Sequence, residues 1–258
     1  MIATIKSELI KVRHSRVLRA VLAITLALSL GITVLVTIFG GADTLAEHQA
    51  VAGGAKFEVM FFGSSFGVWA YAFFAAGFAA AEFRDGMIDY TFAATADRRR
   101  VLLAKAVVVG VGGVLIGLVT SLANFALTQA VLTVTGHPAL SLTEPGLLRV
   151  VIVFIPAQLM TWSLLALFLG AAIRTTTPTV LLLFLGTLLP ILLAQFLPPV
   201  WGETVPRWTP GALIESLAGL ATPGSPAYQP VLPAAAGVLA WLVIFGIVGV
   251  RTYRVRDV

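Results

Sequence analysis

Six apolar stretches alternate with shorter polar ones along these 258 residues, at about 17–39, 58–81, 106–135, 148–173, 179–197 and 234–250. Each is close to or above the roughly 20 residues that a helix needs to cross a bilayer. The third is longer than crossing requires, so it must tilt or project beyond the hydrocarbon. Ahead of the first, residues 1–16 place Ile2, Ile5, Leu9 and Val12 on one helical stripe, with Lys6, Lys11, Arg13 and Arg16 elsewhere. That pattern predicts an amphipathic helix lying in the membrane interface. The first apolar run is too long for a signal peptide and lacks a cleavage site, so it reads as a retained span. Pro156 and Pro190 fall inside the fourth and fifth spans and predict kinks. The spacings Gly63/Gly67 and Gly113/Gly117 predict close helix packing. The longest loop, 198–233, is proline-rich, and Thr209-Pro210 forms an N-cap and N1 pair for a short helix with Leu213, Leu217 and Leu220 on its stripe. Trp201 and Trp208 would anchor that helix at the outer interface. The predicted fold is all-α: one polytopic transmembrane domain over 1–258, with six spanning helices.

Charge orients this layout. Fourteen of the 17 basic residues lie in 1–19, 82–105 and 251–258 or at Arg174, on the side that six spans give to both termini. Only Lys56, Arg149 and Arg207 lie on the other side, while acidic residues divide evenly. Basic excess marks the cytoplasmic face, so both termini are expected there; the expected location is the cell membrane, in a bacterium its cytoplasmic membrane. The formal charge of +5 therefore reports topology and not nucleic-acid binding. A mean hydropathy of +0.98 leaves no room for a separate soluble domain. With 0 cysteines there are no disulfides, thiolate metal sites or cysteine nucleophiles.

The long charged segment between apolar runs is 82–105. Wound as a helix, Glu82, Asp85 and Asp89 share one face, and Phe83, Met87 and Tyr90 share roughly the opposite one. Arg98, Arg99, Arg100 and Lys105 follow as a basic knot. An acidic face, an apolar face and a cationic end suit a segment that lies on the membrane and docks a partner. The carboxylates could instead hold magnesium for lipid-phosphate chemistry, but no second acidic cluster on that side completes such a site. No ionisable residue lies deep within a span, which disfavours a proton-driven carrier. The glycine run at 110–113 lacks the Gly-Lys-Ser/Thr ending of a phosphate loop, and no HExxH or GxSxG occurs. No catalytic residue, cofactor or metal is therefore assigned. A polar stripe on the third span (Ser121, Asn124, Thr128), with Gln158 and Thr161 on the fourth, is the candidate lining of a path; interhelical hydrogen bonding is the other reading of the same residues.

The charged segment carries a resemblance. Glu82, Arg84, Gly86, Thr91, Ala94, Thr95, Arg98 to Arg100 and Leu102 to Lys105 resemble the corresponding segment of permease subunits of type-2 ATP-binding-cassette exporters. The basic amphipathic start, six spans, long outer loop and Arg-x-Arg-Asp-Val ending are similar to that family in layout. Two departures are visible: Met87-Ile88 follows Gly86 where a threonine and an aliphatic residue are common, and Ala96-Asp97 stands where a proline often precedes the arginines. The resemblance implies a permease that dimerises with itself or a related permease and binds a separate cytoplasmic ATPase. It implies a coupling helix between spans two and three, with Glu82, Arg84, Asp85, Gly86, Asp89, Arg98, Arg99, Arg100 and Lys105 at the ATPase contact. A path without embedded charge fits an amphipathic or hydrophobic cargo such as a drug, peptide or lipid. The competing expectations are a passive channel or assembly scaffold, and a membrane enzyme acting on lipid head groups.

Overall fold

The computed structural model describes residues 1–39, 58–83, 98–137, 139–143, 145–194, 196–221, 223–225 and 228–255. The elements in this part of the chain are all helical: α1 (Ile2–His14), α2 (Arg16–Phe39), α3 (Glu58–Ala80), a 3-10 turn (Ala81–Phe83), α4 (Arg98–Val134), α5 (Pro145–Arg149), a π turn (Val150–Phe154), α6 (Ile155–Ile173), α7 (Thr176–Ala194), α8 (Pro199–Arg207), α9 (Pro210–Leu217) and α10 (Val231–Val255). Six stretches are long and apolar enough to cross a membrane: Arg19–Phe39, Phe61–Ala80, Arg99–Val134, Gly146–Ile173, Thr176–Ala194 and Val231–Tyr253. The chain is a membrane-embedded helical protein.

The fourth spanning helix is the axle of the bundle. α6 packs against α3, α4 and α10, and buries Leu159, Leu165, Ala166, Leu167 and Ala171. Lipid is as apolar as leucine, so close association here depends on small residues that let backbones approach. Gly170 meets α3 so closely that a Cβ there would lie 2.9 Å from the Ala76 carbonyl oxygen. The Gly113/Gly117 pair faces α6, where a Cβ on Gly117 would stand 2.6 Å from Pro156 Cα. Gly63 does the same for α2 and α3. By contrast α7 is only 11% buried across its span, and leucines 181, 182, 185, 188, 189 and 192 are exposed along it. Such a surface suits contact with hydrocarbon or with another apolar helix face.

Pro156 produces a local adjustment instead of a break. A proline lacks the N–H that would bond four residues back, and its ring crowds that carbonyl. The preceding π turn at Val150–Phe154 absorbs both defects. At the other end of α6, Arg174 caps the helix in the left-handed region (φ 65°), its N–H reaching the Gly170 carbonyl at 2.8 Å. That position usually belongs to glycine.

Several boundaries differ from the sequence reading. The third spanning helix begins at Arg98 rather than at 106, so the basic knot forms its first two turns. Its 37 residues extend roughly 55 Å, well beyond a hydrocarbon core. The fifth begins at Thr176, three residues early, because Pro178 is tolerated in a first helical turn. The loop before the last span contains two short helices where one was expected. Thr209 is extended before α9 with Pro210 at N1, but its hydroxyl donates to the Pro206 carbonyl (2.7 Å) instead of capping. Leu213 is buried as expected, whereas Leu220 lies beyond the end of α9. α1 is a helix, and only part of its Ile2, Ile5, Leu9 and Val12 stripe packs against the bundle. Ile2 and Leu9 are exposed, while Ile5, Glu8 and Val12 turn inward. The reason is Glu8.

Candidate functional site

The basic end of the bundle brings together α1, the end of α3, the start of α4, the α6–α7 connection and the end of α10. Glu8, in the middle of α1, is 2% exposed. Its Oε2 lies 2.9 Å from Lys105 Nζ, and its Oε1 accepts from Lys11 Nζ at 2.6 Å. Lys105 is 1% exposed, donates to the Phe78 carbonyl at 3.3 Å, and sits over the Phe78 ring at 3.7 Å. One ammonium thus ties α1, α3 and α4 together. Burying both charges is costly, and direct contact with additional donors and acceptors is what offsets that cost. Lys11 is half in solvent, so its share of the cluster is small.

A second anchor lies at Phe83. The Arg174 guanidinium stacks over its ring at 4.5 Å, and Tyr253 of α10 meets it edge-on at 5.4 Å. The segment 84–97 is therefore bracketed by two fixed points. Phe83, before it, is held to α10 and the α6–α7 connection; Lys105, after it, is held to α1 and α3.

Of the residues singled out for a partner contact, Arg99 and Arg100 are exposed on the first turn of α4. Lys105 points into the bundle and acts there as the pin for α1. Arg84, Asp85, Gly86 and Asp89 lie outside the described residues, as do the side chains of Glu82 and Arg98. The predicted acidic face of this segment falls with them.

The polar stripe resolves into a buried seam. Ser121, Asn124, Thr128 and Thr120 of α4 are fully buried. Asn124 Nδ2 donates to Ser29 Oγ of α2 at 2.9 Å and to Ser64 Oγ of α3 at 2.8 Å. Ser121 donates to the Val151 carbonyl in the π turn at 2.8 Å. Across from α4, Thr25, Ser29, Thr33 and Thr37 form a four-residue ladder down α2, all buried. Sequence reasoning missed this ladder, although its i, i+4 spacing on an otherwise apolar helix was the available signal. Thr161 is buried on α6 and Gln158 half-buried, and no hydrogen bond joins either to the α4 column among the described residues.

The seam is not fully satisfied. Asn124 Oδ1 and the hydroxyls of Thr25, Thr120 and Thr128 have no hydrogen-bond partner among the described residues. In an apolar surrounding such groups are expensive. Replacing Asn124 with leucine should lower stability by about 1–2 kcal/mol, the upper range for interhelical hydrogen bonds in membranes. Thermal unfolding in detergent reads this directly, and Ser121→Ala should cost less because Ser121 shares its bond with the Leu118 carbonyl of its own helix.

No protein-family model, curated protein or solved structure matches the chain.

Proposed function

We propose that the chain is the membrane-spanning permease subunit of an ATP-binding-cassette exporter, worked by a separate cytoplasmic ATPase and acting as a dimer. The observation that carries this reading is the bracketing of 84–97 by Phe83 and Lys105. The described residues on either side of this charged stretch are held to the spanning helices, so on this reading a partner that engages it acts on α3 and α4. Those two helices meet α2 at the incompletely bonded seam, where a second packing could satisfy groups that the first leaves unpaired. Bistable packing of this kind is what an externally driven switch requires. The basic distribution supports a cytoplasmic position for this stretch and for both termini. The neutral interior supports an amphipathic or hydrophobic cargo.

On this reading Arg99 and Arg100 contribute to the ATPase contact, together with the carboxylates of 82–89. The test is affinity purification from the native host. A phosphate-loop ATPase should accompany the wild-type chain, and Arg99→Glu with Arg100→Glu should strip it while six-span insertion is retained. A wild-type chain that brings down no ATPase contradicts the proposal.

A further inference from the structure

A cavity of about 670 Å³ opens at the basic end, between the α1–α2 joint, the last turns of α3 and the α6–α7 connection. Its walls are apolar on one side, with Val17, Val21, Phe73 and Phe74, and polar on the other, with Arg174 and Thr175 to Thr177. No acidic side chain lines it among the described residues. Val17 is 68% exposed and Phe73 47%, so the apolar wall continues onto the outer surface of the bundle. Arg16, next to the lining residues Ser15 and Val17, is exposed and makes no ion pair among the described residues.

We infer that this cavity binds an anionic glycerophospholipid from the surrounding leaflet. Its level in the bundle decides the class of ligand. The cavity sits where the spanning helices α2, α3, α6 and α7 begin or end, so it lies at the boundary between hydrocarbon and head groups. A ligand there must be charged at one end and apolar at the other. Arg174 and the threonine hydroxyls receive the phosphate, with Arg16 at the rim adding field of the same sign. Val17, Val21 and Phe73 take the first part of one acyl chain, whose remainder stays in the bilayer. The volume lies within the roughly 300–1,000 Å³ of small-molecule sites, which suits a head group and a chain stub but not a whole lipid. Arg174 contributes through its position over Phe83 as well, so a bound lipid would brace the residue that precedes 84–97. The site stands whether or not an ATPase drives the bundle.

The experiment is native mass spectrometry of the full chain from micelles holding equal amounts of phosphatidylglycerol and phosphatidylcholine. The wild type should retain one phosphatidylglycerol per chain, favoured by about fivefold over phosphatidylcholine, the effect of one basic residue at an anionic surface. Arg174→Asn, which keeps a residue tolerant of the left-handed backbone, should abolish the preference. Val17→Trp, a change at an exposed wall position that spares the core, should reduce retention of the lipid. Arg13→Gln, an exposed arginine outside the cavity, should leave both intact. Excess glycerol phosphate should not displace the lipid; if it does, the cavity is a soluble-anion site and the inference fails. Equal retention of the two lipids by the wild type, or an undiminished preference in Arg174→Asn, would also overturn it.

Discussion

Removing the carboxylate of Glu8 is expected to release α1 from the bundle. Glu8→Ala leaves the Lys105 ammonium buried without its carboxylate, and a broken buried pair of this kind costs about 3–5 kcal/mol. At about 3 kcal/mol, hydrogen exchange across α1 should accelerate roughly a hundredfold, while the centre of α6 should keep more of its protection. Lys105→Met should be milder, because Lys11 remains at 2.6 Å to neutralise Glu8. The double variant Glu8→Leu with Lys105→Met removes both charges and should regain much of the loss. A double variant no better than Glu8→Ala would mean that the two residues are not coupled.

Gly63→Ala is the second large effect. A Cβ at Gly63 would fall 2.1 Å from the Ser29 carbonyl oxygen and 2.8 Å from the Thr33 nitrogen. Both are backbone atoms of α2 and cannot turn aside, so the helices must separate. Separation also strains the bonds from Asn124 to Ser29 and Ser64, which span the same junction. Overpacking of this sort costs about 1–3 kcal/mol, and the loss of hydrogen bonds should place the result at the upper end. Gly31→Ala on α2 is the control, because nothing lies within 4 Å of its Cβ position. There the gain in helix propensity should leave stability unchanged or raise it by up to about 1 kcal/mol. Unfolding midpoints of the two variants, compared in one detergent, test the pair.

The spans were legible because lipid imposes a coarse rule: long apolar runs in which every backbone group bonds within its helix. What escaped was set by tertiary partners. Glu8 looks in sequence like a solvated acid among lysines, and only the position of Lys105 97 residues away turns it inward. Asn124 was visible as a polar residue in a span, but its partners Ser29 and Ser64 depend on how three helices cross. The start of α4 was placed too late because Arg98 to Arg100 read as the end of a separate amphipathic segment, whereas they begin the spanning helix itself. α8 was missed because Trp201-Gly202 and Pro206 read as loop, although Pro199 at a first helical position was a start signal. For Glu8 and Asn124 the local pattern was correct and the competing contact was long-range; at the starts of α4 and α8 it was the local signal that was misread.

A partner ATPase can drive the bundle only if the segment between α3 and α4 is within its reach on the basic side. The chain has 0 cysteines, so single-cysteine variants report without background. Arg13→Cys, Arg99→Cys and Thr143→Cys, placed in sealed right-side-out vesicles, can be exposed to a membrane-impermeant maleimide before and after permeabilisation. Thr143→Cys should label at once, and the other two only after the membrane is opened. Labelling of Arg99→Cys from the outside, or its failure to label on either side, would contradict a bundle driven from the cytoplasm.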